Sequence, residues 1–297
     1  MELWTVRIPE VGTAAQQAEA VAAAGWDGVA FTDSQNLVGD PFVAIALAAQ
    51  SVPDLRFATG VTNAATRHPA ALATLAATVQ EETGGRFVLG IGRGDTALFH
   101  LGRKPQPTAP FFAAVDQLRA YLAGETVSIN GHPSRIRWLE RAREPRLPID
   151  IASSGPKVIG YAARVADRVT FAIGADPARV EWAMGVARDA MKAADRDTPP
   201  SFGAYVTVGC HPDREVARAM VAGSVAAFAH FSSMPGSSGA GLEGDDREVV
   251  AEVGRRYDSN LHLVNDSPQT GALTDDFVDR FAVVGPPDEC IERLLGL

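Results

Sequence analysis

Two short stretches of the sequence combine residue types that suit the binding of an anion. Ser154-Gly155-Pro156-Lys157 opens a predicted helix, where backbone N–H groups and the helix dipole favour phosphate. Arg93 follows a predicted strand and stands between two glycines, and a guanidinium pairs well with phosphate. Taken separately, the first stretch is an ordinary helix cap and the second a surface arginine. Together, at the ends of neighbouring strands, they favour a phosphate site.

Other polar residues follow predicted strands in the same way. Gly60, in the strand before Thr62, would let the backbone come close to a flat ligand. Because the chemistry of an α/β barrel lies at the carboxyl ends of its strands, all of these polar residues are candidates for one site. In chain order they are Asp33, Ser34, Gln35, Thr62, Asn63, Arg93, Asp95, Ser153, Ser154, Lys157, Cys210 and His211.

The elements that must position these residues alternate between strands and helices. A buried strand over 57–61 ends in a polar turn with Asn63 and Thr66, and Pro69 then begins a helix that reaches residue 83. Seven such strands, without a Gly-x-Gly-x-x-Gly motif after the first, favour a (β/α)8 TIM barrel, with a doubly wound open sheet as the alternative. The other strands are predicted over 3–8, 28–31, 86–91, 148–152, 168–172 and 202–210. The other helices are predicted over 13–24, 41–50, 111–122, 156–165, 177–194, 213–228, 245–257 and 287–295.

A single domain is predicted over residues 1–297, with two departures from the regular alternation. Asn130-Gly131 lies between apolar residues and predicts a hairpin inserted at 125–138. Residues 232–244 are rich in Gly and Ser and predict a mobile loop. The region 260–274 looks irregular, and a short apolar run follows at 281–284.

The composition excludes several classes of protein. The net charge is −9 and no basic stripe is present, which argues against a nucleic-acid partner. Cys210 and Cys290 do not form a C-x-x-C pair, so neither a metal site nor a disulfide framework is expected. The first residues lack a signal-peptide pattern, and no apolar run approaches the roughly 18 residues of a membrane span. A cytoplasmic protein with no membrane partner is expected.

Two sequence blocks resemble the luciferase-like family, and most closely its deazaflavin-dependent methylenetetrahydromethanopterin reductase branch. The first block is Thr59-Gly60-Val61-Thr62-Asn63 followed by Thr66-Arg67-His68-Pro69, and the second is Gly85-Arg86-Phe87-Val88-Leu89-Gly90-Ile91-Gly92-Arg93-Gly94. The resemblance extends from Gly25 to about Leu295. It implies a (β/α)8 barrel that binds coenzyme F420, or alternatively FMN, at the strand ends.

The resemblance also implies roles for individual residues. A non-prolyl cis peptide at Gly60-Val61 would lie behind the tricyclic ring, and Thr62 and Asn63 would face the polar edge of that ring. Arg93 matches a phosphate-binding arginine of the family. The implied cofactor-binding set is Gly60, Val61, Thr62, Asn63, Arg93, Ser153, Ser154, Gly155 and Lys157. Relatives are dimers through the helices near the second and third strands, so a homodimer is expected.

The sequence departs from the family pattern at two places. Ser34 stands where relatives carry a functional histidine, and a serine without a partner is not a base near neutral pH. The catalytic candidates are therefore Asp33, Gln35 and, from a late loop, His262. The sequence also leaves three alternatives for the eighth strand of the barrel. Residues 281–284 form it, it is absent, or a partner chain supplies it.

Three functions remain open from the sequence. The first is an oxidoreductase that moves a hydride between F420 and a small organic substrate. The second is a two-component monooxygenase that uses FMNH2 and O2, and a flavin or F420 reductase would then be a further partner. The third is a protein that binds the cofactor without turnover. Among the histidines, His68 is expected to cap a helix and His211 to form a turn with Pro212.

Overall fold

The computed structural model describes residues 1–237 and 239–297, which form two compact units, Met1–Ile151 and Ala152–Leu297. Within those described residues, no helix is long and apolar enough to cross a membrane. The single domain over 1–297 stays a prediction.

The first unit is built from strands and helices that alternate along the chain. Its strands are β1 (Trp4–Arg7), β2 (Gly28–Phe31), β3 (Arg56–Thr59), β4 (Thr62–Asn63), β5 (Phe87–Gly92), β6 (Val127–Ile129), β7 (His132–Ser134) and β8 (Ile149–Ser153), the last of which continues into the second unit. Its helices are α1 (Ala14–Ala23), α2 (Pro41–Ala48), α3 (Pro69–Glu82), α4 (Thr96–Phe99), α5 (Thr108–Leu122) and a 3-10 helix at Arg137–Arg141. The short helix α4 is absent from the sequence prediction.

The sheet of the first unit is parallel, with β1, β2, β3, β5 and β8 as successive neighbours. Every residue of β2 and β5 is buried, as expected for parallel strands that are covered on both faces. The side chain of Asp40 accepts hydrogen bonds from the backbone of Phe42 and Val43 and so begins α2. His68 begins α3 by accepting from the Ala70 N–H at 3.2 Å, which confirms its predicted capping role.

The hairpin predicted around Asn130-Gly131 is confirmed as the antiparallel pair β6–β7. Both turn residues have positive φ, which is the conformation that the tight hairpin turn requires. The predicted hairpin segment 125–138 extends too far, because Trp138 belongs to the 3-10 helix. At the start of α1, the Thr13 hydroxyl donates to the Glu10 carbonyl and makes no cap hydrogen bond.

The second unit carries two pairs of parallel strands, β9–β10 and β11–β12. Its strands are β9 (Arg168–Phe171), β10 (Ser201–Ala204), β11 (Val208–Cys210) and β12 (Val283–Gly285). Its helices are α6 (Pro156–Val165), α7 (Pro177–Ala193), α8 (Arg214–Ser233), α9 (Gly244–Arg256), α10 (Asp275–Phe281) and α11 (Pro287–Leu295), with 3-10 turns at Ser259–Leu261 and Thr270–Ala272.

Two sequence predictions in the second unit need correction. The single strand predicted over 202–210 is two strands, because the chain changes partner between them: β10 pairs with β9, whereas β11 pairs with β12. The predicted mobile loop 232–244 is shorter at both ends, because Ser232 and Ser233 end α8 and Gly244 begins α9. Its residue Ser238 lies outside the described residues.

The apolar run 281–284 contains the last residue of α10 and the first two residues of β12. Of the three alternatives for the eighth strand, the structure shows the first, in which these residues supply a short strand. A cluster of buried side chains on α8, α9 and α10 packs behind it. Its members include Val221, Val225, Val250, Val253, Phe277 and Phe281.

Candidate active site

In the first unit, the ends of β2 and β4 are joined by a buried polar network. Asp33, Thr62 and Asn63 are all buried. The Thr62 hydroxyl donates to the Asp33 carboxylate at 2.6 Å, and the Arg67 guanidinium is paired with the same carboxylate. Arg67 also donates to Asp40 at 2.7 Å. The carboxylate of Asp33 is therefore held by a hydroxyl and a cation, an arrangement that fixes its position.

Arg67 is the centre of this network. Burial disfavours its charged form, but the carboxylates of Asp33 and Asp40 outweigh burial, and the pKa of Arg67 is raised. Its guanidinium also lies over the ring of Phe42, 5.2 Å from the ring centroid. Arg67 is thus a fixed cation next to two of the predicted site residues.

The turn after β3 has the conformation that the family resemblance implied. The peptide bond between Gly60 and Val61 is cis, which confirms the prediction. On the neighbouring strand, a Cβ at Gly90 would overlap the carbonyl oxygen of Thr59, so only glycine fits there. The side-chain oxygen of Asn63 accepts from the backbone N–H groups of Ala65 and Thr66 at 3.1 and 2.9 Å, as expected of a turn residue.

Arg93 follows β5 and is half-buried. Its Nε donates to the Gln106 carbonyl at 2.6 Å, and the Gln106 N–H donates back to the Arg93 carbonyl at 3.1 Å. Burial lowers the pKa of Arg93, and the nearby Asp95 opposes that shift. The guanidinium is therefore held in place by the backbone, in a partly desolvated position where it would attract an anion strongly.

Gln35 connects the end of β2 to the segment after β5, because its Nε2 donates to the Ala97 carbonyl at 2.7 Å. It also lines an open depression of about 460 Å³. The remaining lining comes from the segments 8–11 and 36–39, which carry the apolar side chains of Ile8, Val11 and Leu37. The catalytic candidate Gln35 thus lines a depression large enough for a small ligand.

Several buried polar atoms in the first unit have no hydrogen-bond partner among the described residues. Buried polar groups are normally satisfied, so each such atom calls for an explanation. Five of them follow β2, β4 and β5 in the chain, on the carboxyl side of these parallel strands, whereas Gln17 Oε1 lies on α1. The five are Thr32 Oγ1, Gln35 Oε1, Thr66 Oγ1, His100 Nε2 and Gln106 Oε1. A polar ligand at these strand ends would satisfy atoms of this kind.

In the second unit, the end of β8 leads directly into α6. Ser153 is buried. The hydroxyl of Ser154 lies 3.4 Å from the Phe231 carbonyl and 3.1 Å from the Ser237 hydroxyl. A Cβ at Gly155 would meet the carbonyl oxygen of Gly236, so this helix start needs glycine. Lys157 is exposed.

His262 belongs to an aromatic cluster in the second unit. The Tyr257 hydroxyl and the Nδ1 atom of His262 share a hydrogen bond. The ring of His230 stacks on Tyr257 with centroids 3.7 Å apart, and the ring of Phe231 is 6.2 Å from that of His262. Because the Phe231 carbonyl also contacts Ser154, the structure places His262 near the end of β8.

Two of these functional candidates, Arg67 and Tyr257, received no role from sequence reasoning. Arg67 lies within the family-like block, but its partner Asp33 is on a different strand, and no local pattern connects them. Tyr257 is only the last residue of the helix predicted over 245–257. The predicted turn at His211 is confirmed, since its Nδ1 accepts from the Asp213 N–H at 3.0 Å.

A cavity of about 410 Å³ in the first unit is lined by the C-terminal ends of α3 and α5 and by residues 135–147. None of the predicted site residues lines it. Within residues 1–237 and 239–297, no group of three or more His, Cys, Asp or Glu side chains could hold a metal ion.

Comparison with known proteins identifies the family. The model of the luciferase-like monooxygenase family matches residues 4–297. The chain belongs to this family. The resemblance to this family inferred from the sequence is confirmed.

A curated relative of this luciferase-like chain is the 5,10-methylenetetrahydromethanopterin reductase of Methanolobus tindarius. It is 29% identical over 277 residues, which cover 91% of this chain and 82% of the relative. Its name describes a reductase. The luciferase-like chain is accordingly classified as an oxidoreductase, which confirms the prediction of an enzyme over that of a protein without turnover.

Two solved structures show the fold class. The coenzyme F420-dependent tetrahydromethanopterin reductase of Methanopyrus kandleri has a TM-score of 0.70 at 19% identity, over 100% of this chain and 91% of that one. An F420-dependent secondary alcohol dehydrogenase in complex with an F420-acetone adduct has a TM-score of 0.73 at 15% identity, with the same coverage. The luciferase-like α/β barrel predicted from the sequence is confirmed, and the doubly wound alternative is not supported.

Proposed function

We propose that the chain is an F420-dependent oxidoreductase that transfers a hydride between the deazaflavin and a small organic substrate. The observation that carries the proposal is the set of buried, unpartnered polar atoms after β2, β4 and β5. Their position is where a barrel enzyme of this family would bind its cofactor and substrate. The names of an F420-dependent hydroxymycolic acid dehydrogenase among the relatives and of two F420-dependent solved structures support F420 over FMN.

The residues present suit such a cofactor. The cation of Arg93 is partly desolvated and held by the backbone of Gln106, which suits a phosphate. Thr62 and Asn63 are buried polar residues directly after the cis peptide Gly60-Val61. In the second unit, Ser153, Ser154, Gly155 and Lys157 remain the predicted phosphate ligands. When bound, F420 would supply a carbon that accepts or donates a hydride.

The proposed roles of the catalytic candidates differ from one another. Asp33 is ion-paired with Arg67 and hydrogen-bonded to Thr62, so it acts as a positioning residue for the turn after β3 rather than as a free base. Gln35 lines the depression and offers its amide to a substrate. His262, hydrogen-bonded to Tyr257, is the candidate for holding or moving a proton.

Titration of the purified chain with each cofactor tests the proposal. F420 and FMN, each oxidised and reduced, would be added while intrinsic fluorescence and the cofactor spectrum are followed. F420 is expected to bind more tightly than FMN in at least one redox state. Tight binding of FMN alone, or of neither cofactor, would overturn the assignment.

The alternative function is a monooxygenase that uses FMNH2 and O2, because the family description names monooxygenases. The two functions differ in their need for oxygen. Turnover with reduced F420 under strictly anaerobic conditions supports the hydride transfer that we propose. Product formation that requires O2 and FMNH2, with a flavin reductase as partner, would favour the alternative.

We further propose that the chain is a homodimer and that it works in the cytoplasm. Helix α2 has the sequence Pro-Phe-Val-Ala-Ile-Ala-Leu-Ala, which is apolar on every side. Phe42 and Ile45 are buried, whereas Val43 and Leu47 are 59% and 60% exposed. A helix that is apolar all round is usually covered on both sides, and a second copy would cover this face.

A further inference from the structure

The two cysteines of the chain are separated in sequence but adjoin the same glycine in the second unit. Cys210 is the last residue of β11, and its register partner in β12 is Gly285. Neighbouring strands lie about 4.8 Å apart, so the two backbones are close at this point. Cys290 lies one turn into α11, and its Sγ donates to the Gly285 carbonyl at 3.3 Å. The backbone of Cys210 and the thiol of Cys290 therefore both lie next to Gly285.

The two cysteines are also neighbours in space, because α11 packs against β11 as well as against β12. Burial, together with the neighbouring Cys210, raises the pKa of the Cys290 thiol, which therefore stays protonated at neutral pH. Cys210 is exposed, whereas Cys290 is only 4% exposed. One thiol is accessible to small oxidants, and the other lies behind it.

We propose that Cys210 and Cys290 form a redox pair that hydroperoxides convert into an intramolecular disulfide. This modification goes beyond the proposed hydride transfer and does not depend on it. The combination of an exposed thiol and an adjacent second thiol is the arrangement of redox-sensing cysteine pairs.

The reaction has two balanced steps. The Cys210 thiol releases its proton, the thiolate attacks one oxygen of hydrogen peroxide, and the O–O bond breaks. Cys210 becomes a sulfenic acid, and the leaving hydroxide takes up the released proton to form water. The Cys290 sulfur then attacks the Cys210 sulfur, the S–O bond breaks, and the hydroxyl leaves as water with the thiol proton. The two sulfurs lose two electrons in total, and the peroxide is reduced to two molecules of water.

The disulfide would tie the end of β11 to α11. In the reduced protein these elements are joined through β12, a strand of three residues. A covalent link between residues 210 and 290 closes a long loop and restricts the unfolded chain. The melting temperature of the oxidised protein should therefore exceed that of the reduced protein by at least about 2 °C.

The experiment uses the full-length protein, first reduced and then treated with a small molar excess of hydrogen peroxide. Thiols titrated after denaturation should fall from two per chain to none. Mass spectrometry of a tryptic digest should show the peptide 197–214 joined to the peptide 281–293, and dithiothreitol should release them. Two thiols that stay titratable, or a link between two chains on a non-reducing gel, would overturn the proposal.

Serine variants separate the two roles, and circular dichroism confirms that each variant is folded. In Cys290→Ser, the sulfenic acid of Cys210 has no partner and should be trapped by dimedone on the peptide 197–214. In Cys210→Ser, the buried Cys290 should keep its thiol at the same peroxide dose. Oxidation of Cys290 in the Cys210→Ser variant at the wild-type rate would contradict the assignment of Cys210 as the accessible thiol.

Discussion

The guanidinium of Arg67 is paired with the carboxylate of Asp33, which is only 5% exposed. Both residues lie at strand ends where the sequence predicts chemistry, yet their pairing fixes them instead of leaving them reactive. The network also includes the Thr62 hydroxyl, directly after the cis peptide. We expect this turn to contact the cofactor ring. It is fixed by the Arg67–Asp33 ion pair and by the hydrogen bond from Thr62 to Asp33.

Removal of Arg67 should leave a buried carboxylate without its cation. Arg67→Met is expected to lower the free energy of unfolding by about 3 kcal/mol. The reason is that the carboxylate of Asp33 stays buried and desolvated but no longer has a counter-charge. Urea unfolding measures this change. The double variant Arg67→Met/Asp33→Asn should recover part of the loss, since neither charge remains.

A matched control for this pair is Arg56→Met, because the Arg56–Glu2 pair is exposed. That change should cost less than about 1 kcal/mol. A double variant of Arg67 and Asp33 whose cost equals the sum of the two single costs would show that the two side chains are not coupled.

Arg93 is predicted to bind the cofactor phosphate. Arg93→Ala should weaken cofactor binding by about 1.5–3 kcal/mol, the range for loss of a hydrogen bond to a charged group. Fluorescence titration with F420 and with FMN measures the affinity. Arg119→Ala, which removes an exposed arginine from α5, should leave affinity unchanged. Equal affinity of Arg93→Ala and wild type for both cofactors would refute the phosphate role.

The pair Arg218–Asp279 should give the second unit a pH-dependent stability. Arg218 donates to both oxygens of Asp279, at 2.8 and 2.7 Å, and these hydrogen bonds lower the pKa of Asp279. A carboxyl with a lowered pKa stabilises the folded state above its ordinary pKa of about 3.9, and this contribution is lost as pH falls through the lower folded value.

Arg218→Gln should therefore be less stable than wild type by about 1 kcal/mol near pH 6, and the difference should shrink below about pH 4. Chemical unfolding at a series of pH values measures it. Arg188→Gln, which removes an exposed ion pair with Glu181, serves as the control and should show little change at any pH. A difference that is constant with pH would contradict the role of Asp279.

The exposed face of α2 should mediate association. Val43→Asp/Leu47→Asp places two charges on that face and is expected to convert a dimer into a monomer in multi-angle light scattering. Val216→Asp changes a similarly exposed apolar residue on α8 and should leave the oligomeric state unchanged. Wild-type protein that is monomeric at tens of micromolar would contradict the proposal directly.

The alternation of strands and helices was predictable because it depends on local patterns. Buried strands such as β5 are continuous apolar runs, and α2 and α3 begin with a capping residue followed by proline. The cis bond at Gly60-Val61 was predictable only through the family resemblance, because no local preference indicates it.

Several features that the sequence missed depend on contacts between distant segments. In the sequence, Asp33 is a catalytic candidate and Arg67 has no assigned role, and only the fold makes them a pair. The run over 202–210 is apolar enough for one strand, and its division arises from a change of strand partner. Cys210 and Cys290 likewise meet only because β12 leads into α11 next to β11.

The pairing of β11 with β12 also sets an order on the folding of the second unit. Val208 and Val283 are neighbours in the sheet, but α8, α9 and α10 lie between them in the chain. Closing such a long loop costs conformational entropy before the short strand pair returns any stabilisation. We therefore expect the cluster of α8, α9 and α10 to assemble first and to hold the two strands close. On a ribosome, this pair cannot form until residues 283–285 have emerged, so β11 lacks its partner strand while residues 211–282 are synthesised.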